Sequence, residues 1–277
     1  MGTPGVYPAS SHAGITNYIK DRNAFDFISA HQRPPGVLFP QCQNPRIPDN
    51  DTLAAEVERM HEYGLAPISM QSLLFGATDA QLFGSPPARE QFMKAIFDAI
   101  RLAERMGISN LVLGSPKNRS IPPALEHCEA WTLAAEVFSL LGDYAKERGC
   151  WIALEPLPPG YGTNFLNNIE EALNFINFVG NSAITLNFDI GATRLSNTLM
   201  EVEEMLSHSR SRISHIHMSE PYLAPVGSDK QEVRDRFEML RRAGWKGYVS
   251  IEMRCKAMDM ALENLRCAVL NCSQAMT

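Results

Sequence analysis

Two spacings of apolar residues alternate along the chain. Short apolar runs read as buried strands at Phe25–Ser29, Leu65–Met70, Asn110–Gly114, Trp151–Glu155, Ile184–Asp189, Ile213–His217 and Gly247–Glu252. Between them the longer segments carry a helical pattern, near Thr52–Tyr63, Ala88–Met106, Ala124–Arg148, Ile169–Val179, Leu199–His208, Lys230–Arg242 and Ala257–Ala275. Several of these helices stop at a glycine, as in Tyr63-Gly64, Met106-Gly107, Arg148-Gly149 and Ala243-Gly244, where a left-handed cap is cheap. Strict strand–helix alternation with short apolar strands predicts an α/β fold in which helices cover a parallel sheet.

A doubly wound sheet shares that order, but it concentrates its site at one switch point. Here polar residues recur at strand ends in unit after unit, which favours a TIM (β/α)8-type barrel with those residues at its mouth. The pattern supplies seven strands. Residues 1–12 hold two prolines and two glycines and make a poor central strand. Either the first strand is degenerate or missing, or Gly5–Tyr7 supplies a short substitute; a missing strand would expose two sheet edges. The stretch His31–Asn50 carries five prolines and reads as a long rigid loop over the mouth.

The length of 277 residues and a hydrophobic share of 45% suit one large core, and no linker rich in Gly, Ser or charge interrupts residues 50–277. A single domain over 1–277 is therefore expected. The net charge of −6 argues against nucleic acid or an anionic membrane surface as a partner. No apolar run approaches the ~18 residues of a spanning helix, and the N-terminus lacks the order of a signal peptide. The six cysteines (Cys42, Cys128, Cys150, Cys255, Cys267 and Cys272) are scattered, with no Cys-x-x-Cys pair, and read as reduced thiols. A cytoplasmic location follows. The helix-heavy exterior is compatible with a homo-oligomer, although no patch stands out.

Four strand ends carry the candidate chemistry. Glu155 closes Ile152-Ala-Leu-Glu-Pro156, Asp189 closes Thr185-Leu-Asn-Phe-Asp189, His217 closes Ile213-Ser-His-Ile-His217 and Glu252 closes Tyr248-Val-Ser-Ile-Glu252. They are separated by 34, 28 and 35 residues, one strand–helix unit at each step. Taken singly, each has a plain structural role. Glu155 before a proline can anchor a loop, Asp189 can cap the next helix, and His215 or His217 can be a satisfied core histidine. Glu252 has fewest such roles, because an ionised carboxylate closing an apolar strand needs a partner. Together they read as one metal site, since three carboxylates converging on one point would repel one another without a cation.

Such a donor set favours Mn²⁺ or Mg²⁺ before Co²⁺, Fe²⁺ or Zn²⁺. Four protein ligands on a six-coordinate ion leave two positions for the adjacent oxygens of an α-hydroxycarbonyl compound. The ion would polarise the carbonyl, acidify the neighbouring C–H and stabilise a metal-bound enediolate. Glu155 and Glu252 would flank the chelate as the two bases.

The chain resembles the sugar phosphate isomerase/epimerase superfamily, which holds xylose isomerase, tagatose 3-epimerase, inosose isomerase and endonuclease IV. The likeness runs from about Phe25 to Met258. It passes through Ser69-Met-Gln-Ser-Leu-Leu-Phe-Gly76, Gly114-Ser-Pro-Lys-Asn-Arg119, Leu154-Glu-Pro156, Thr163-Asn-Phe165, Phe188-Asp-Ile-Gly-Ala192, His215-Ile-His-Met-Ser-Glu-Pro221 and Ser250-Ile-Glu-Met253. It implies a xylose isomerase-like barrel whose metal set falls on Glu155, Asp189, His217 and Glu252. It also implies that Glu155 and Glu252 transfer protons, as their counterparts do in the ketose 3-epimerases.

Two positions depart from the epimerases: Ala192 stands where they carry a substrate-binding histidine, and Leu223 where they carry an arginine. Endonuclease IV needs further histidines for three metals, and the chain lacks them, so a nuclease is not expected. Lys117, Arg119 and Arg254 are expected to form a cationic rim suited to an acidic or phosphorylated sugar. Gln71, Asn164, His215 and Glu220 are expected to contact hydroxyls or to orient a metal ligand. Tyr161 and Phe75 would wall the pocket. The expected function is a divalent-metal-dependent isomerase or epimerase of a sugar, inositol-derived or sugar-phosphate α-hydroxycarbonyl compound. The alternatives are a keto-sugar lyase or deglycosidase on the same site, and a barrel that binds metal without catalysis.

Overall fold

Strand positions follow from short, mostly apolar runs that bury both faces. In β3 Leu65–Met70, β4 Asn110–Leu113, β5 Trp151–Leu154, β6 Ile184–Asp189, β7 Ile213–Ser219 and β8 Val249–Glu252 nearly every residue is buried or half-buried. The computed structural model describes residues 6–9, 15–19, 50–62, 65–74, 76–195, 197–254 and 258–276. The expected strand Phe25–Ser29, residues 31–49 of the proline-rich stretch, Phe75, Cys42 and Cys255 lie outside them. Strands β3 to β8 pair in chain order, every neighbour parallel. Their C-terminal ends therefore open on one face.

The two ends of the sheet are completed by the first residues of the chain. Strand β1, Val6–Ala9, pairs parallel with β8, and β2, Ile15–Ile19, pairs antiparallel with β3. The order is β1-β8-β7-β6-β5-β4-β3-β2, with β1 and β2 in contact where the ends meet. The short substitute near Gly5–Tyr7 thus exists as β1, whereas β2 is a strand the pattern did not indicate. Its direction corrects the expectation of a wholly parallel sheet. A link of five residues, 10–14, is far shorter than the roughly ten or more residues of a crossover between parallel strands.

The helices are α1 Asn50–Glu62, α2 Pro86–Met106, α3 His127–Glu147, α4 Ile169–Val179, α5 Ile190–Arg194, α6 Leu199–Ser209, α7 Lys230–Arg242 and α8 Met258–Met276. In α2 the residues Phe92, Ile96, Ala99, Ile100 and Ala103 recur at helical spacing and are all buried. Proline occupies its first turn, and Gly107 ends it at φ 69°, returning its N–H to Ala103 and Glu104. Between α2, α3 and α4 a run of edge-to-face aromatics fills the outer core. Phe92 meets Phe138, Phe138 meets Phe175, and Phe175 meets Phe165, with ring centroids 5.1–6.5 Å apart. No helix of the described residues is long and apolar enough to cross a membrane.

Candidate metal centre

Four consecutive strands each deliver one ligand type to the same point. Glu155 follows β5, Asp189 ends β6, His217 lies in β7 and Glu252 ends β8; one donor atom from each lies within 4.8 Å of all the others. Parallel register makes this possible, because Asp189 pairs with His217 and Glu252 lies level with Ser219. His217 Nδ1 is 2.9 Å from Glu252 Oε2, 3.3 Å from Glu155 Oε1 and 3.7 Å from Asp189 Oδ2. His217, Asp189 and Glu155 are buried, and Glu252 is nearly so.

The set fits a divalent ion. Oxygen and nitrogen donors about 2.1 Å from one centre lie about 3.0 Å apart when adjacent and about 4.2 Å apart when opposed, close to the 2.9–3.7 Å found around His217 Nδ1. Without a cation, burial and the charges of Glu155 and Asp189 push the Glu252 carboxyl up to about 7, against the pull of His217. Burial works to lower the His217 imidazole, but Glu252, Asp189 and Glu155 hold it well above its ordinary range. For Asp189, burial is outweighed by His217 and by hydrogen bonds from Ala192 and Ser219, so its carboxyl is held low. Glu252 and His217 thus hold protons that a cation would displace.

Neighbouring groups orient these ligands. The Asn187 amide, fully buried, donates to Glu155 Oε1 at 3.4 Å and lies 3.2 Å from His217 Nδ1. Asp189 Oδ1 accepts from Ala192 N at 2.5 Å and from the Ser219 hydroxyl at 2.7 Å. Asp189 is also the N-cap of α5, so its structural and chemical roles coexist in one side chain. Asn187 and Ser219 were missed by sequence reasoning. Both share a strand face with a ligand, two residues from Asp189 and from His217 respectively, and that period was the available signal.

The other expected site residues divide. Gln71 is buried just past the end of β3, Lys117 is exposed on a 3₁₀ turn, Pro116–Asn118, after β4, and Arg254 is exposed just after β8. Arg119, expected on the rim, is only 2% exposed. It donates to the carbonyls of Gly114, Glu155 and Phe165 at 2.6–2.7 Å, and burial lowers it to about 10. Asn164 spends its amide on both backbone groups of Ile121. His215 Nε2 is 2.6 Å from the Ser250 hydroxyl, and its ring stands edge-on to His217. Glu220 is locked to Arg236 by two bonds of 2.8 and 2.7 Å. Tyr161 lies within reach of the fields of Asp189, Glu155 and Glu252, and stacks on Tyr222 at a centroid distance of 6.3 Å.

The model of the xylose isomerase-like TIM barrel family matches residues 24–269. The chain belongs to that family. Among solved structures of the same fold, an L-ribulose 3-epimerase is 17% identical, with 84% of this chain and 82% of that one covered at a TM-score of 0.67. A 3-keto-D-glucoside 4-epimerase from E. coli in its apo form is 18% identical, covering 78% and 84% at 0.64. An AP endonuclease of family 2 from Brucella melitensis is 14% identical, covering 80% and 83% at 0.62. At such identities the likeness is one of fold. No curated protein matches the chain. Within the xylose isomerase-like family, then, chemistry has to be argued from the residues of this barrel's mouth.

Proposed function

We propose that the protein is a divalent-metal-dependent isomerase or epimerase of a sugar, inositol-derived or sugar-phosphate α-hydroxycarbonyl compound. The reading is carried by the convergence of Glu155, Asp189, His217 and Glu252, from four adjacent parallel strands, within 4.8 Å. A bound divalent ion, Mn²⁺ or Mg²⁺ before Co²⁺, Fe²⁺ or Zn²⁺, supplies Lewis acidity toward a carbonyl.

The protein's own residues do the rest. Glu155 and Glu252 come from strands three places apart in the sheet, with Asp189 and His217 between them. Two carboxylates so placed address the two faces of a carbon next to the carbonyl, one removing its proton and the other returning one. We assign substrate contact to Gln71, Lys117 and Arg254. Arg119, Asn164, His215 and Glu220 act less directly, by holding loops or ligands in place. Tyr161 accepts a hydrogen bond from Tyr222 N at 3.2 Å and keeps its own proton to donate across the pocket it walls. The sugar epimerases of the same fold support this class of substrate. Two bases at the ends of one run of four strands favour proton exchange over elimination of a β-substituent, which needs an acid at the leaving group.

Metal content of protein purified without chelator tests the centre, with Asp189→Ala as control. We expect about one ion per chain, lost in the variant. Keto-sugars are then screened in D₂O for hydrogen exchange. Glu252→Gln keeps size and removes the base, and should reduce exchange at least ~10²-fold. Exchange at the wild-type rate in Glu252→Gln would refute the mechanism. Products that have lost atoms of the substrate would identify a lyase instead.

A further inference from the structure

We propose that Ser219, Glu220 and Arg236 are positioning residues that fix Asp189 as a ligand presenting a single oxygen to the metal. The inference rests on the metal-centre reading above. It gives Glu220 a structural partner and adds Ser219 and Arg236 to the residues around the site.

The Ser219 hydroxyl donates to Asp189 Oδ1 at 2.7 Å and accepts from Gly191 N at 2.9 Å. Oδ1 also accepts from Ala192 N, so one oxygen of the carboxylate is held by two protein donors. The other, Oδ2, is the one that faces His217. The arrangement therefore decides which oxygen remains for a cation. It depends on Ser219 staying against the first turn of α5, and nothing wider than a glycine fits there. A methyl group on Gly191 would lie 2.6 Å from the carbonyl carbon of Glu220 and 2.7 Å from Ser219 Oγ.

Arg236, on α7, fastens that end of β7. Its guanidinium is fully buried and donates to the Ser219 carbonyl at 3.0 Å, to both oxygens of Glu220, and to Glu232 at 2.7 Å. Glu232 in turn meets Arg194 at 3.1 Å, and Arg194 is the last residue of α5, the helix that Asp189 caps. The chain Arg194–Glu232–Arg236–Glu220 alternates in sign and sums to zero. It links both ends of the Asp189 turn to α7 and to the end of β7. A buried ion pair rarely adds stability beyond that of an apolar replacement. What it adds here is register between two strand ends that carry adjacent ligands, and partners of this kind orient a metal ligand as the ligand orients the metal.

The test uses Mn²⁺ as probe, by calorimetric titration and by the electron paramagnetic resonance of the bound ion, with melting of the metal-free protein alongside. Wild type, Ser219→Ala and the double variant Arg236→Met/Glu220→Gln are compared. We expect both variants to melt close to wild type without metal, to bind Mn²⁺ about 10–100-fold more weakly, and to show an altered bound-ion spectrum. A role in packing alone would lower melting and leave the spectrum unchanged. Wild-type affinity and spectrum in Ser219→Ala would overturn this inference while leaving the metal centre standing. Absence of Mn²⁺ uptake by the wild type would overturn both. If the double variant fails to fold, Ser219→Ala decides.

Discussion

Glu155 is packed against Gly114 with no space for a side chain between them. A methyl group added there would lie 2.6 Å from Glu155 Oε2. Because the clash is with the far end of a flexible side chain, the fold should absorb it while the carboxylate turns away from its partners. Gly114→Ala is therefore expected to melt near wild type but to bind Mn²⁺ about ten-fold more weakly, a split that calorimetry and thermal melting together would reveal. At this scale the four ligands were legible because each ends an apolar run, where an ionisable group has few other reasons to be. Asn187 and Ser219 sat on the same faces, but a short polar residue within a strand is too common to single out. Arg236 was not legible. It is one of several arginines on a polar helix, and only the packing of α7 buries it while leaving Arg241 and Arg242 less enclosed.

Apart from Asp189 at the start of α5, local capping chemistry can lie outside the site. Helix α6 begins with a reciprocal cap in which the Thr198 side chain receives Glu201 N while the Glu201 carboxylate receives Thr198 N at 2.6 Å. Thr198→Ala should cost about 1 kcal/mol of stability. Its effect on Mn²⁺ affinity should be nil, because α6 contributes no ligand; chemical denaturation and calorimetry would separate the two. A loss of affinity would mean that the α5–α6 segment couples to the centre. The same scale shows where reading by pattern stops. Helices α4 and α7 coincide with their predicted limits, since apolar period and glycine or charge at the ends all agree. Helix α5 was not anticipated, because five residues hold too little period to register, although Asp189 before Ile-Gly-Ala was visible as a cap.

At the scale of the molecule the centre ties protonation to stability. Without a cation, Glu252 is raised to about 7 from an ordinary carboxylate value and His217 is raised well above 6.5. At Glu252 and His217 the folded protein then binds more protons than the unfolded chain, whereas buried His215, held well below its ordinary range, binds fewer; the two effects oppose below about 6.5, and stability falls as pH rises from about 6.5 to above 7. We expect the metal-free protein to melt at progressively lower temperature across that range, and saturating Mn²⁺ to reverse the trend, since cation uptake releases the same protons. Melting curves at several pH values, with and without Mn²⁺, check this. A flat profile in the metal-free protein would show that the four groups are not coupled.

The approximate places of six strands and of the longer helices, and the four candidate ligands, could be read from the chain because each is set by residues close in sequence: the period of a strand, a cap, a terminal charge. Other features required the closed sheet. The antiparallel return of β2, the inward turn of Arg119, the commitment of Glu220 to Arg236 and the distances of 2.9–3.7 Å around His217 depend on which elements become neighbours. Such adjacency is decided by burying all the apolar faces at once, and no local pattern encodes it. A ligand's identity is thus local, while its geometry belongs to the packing of the whole barrel.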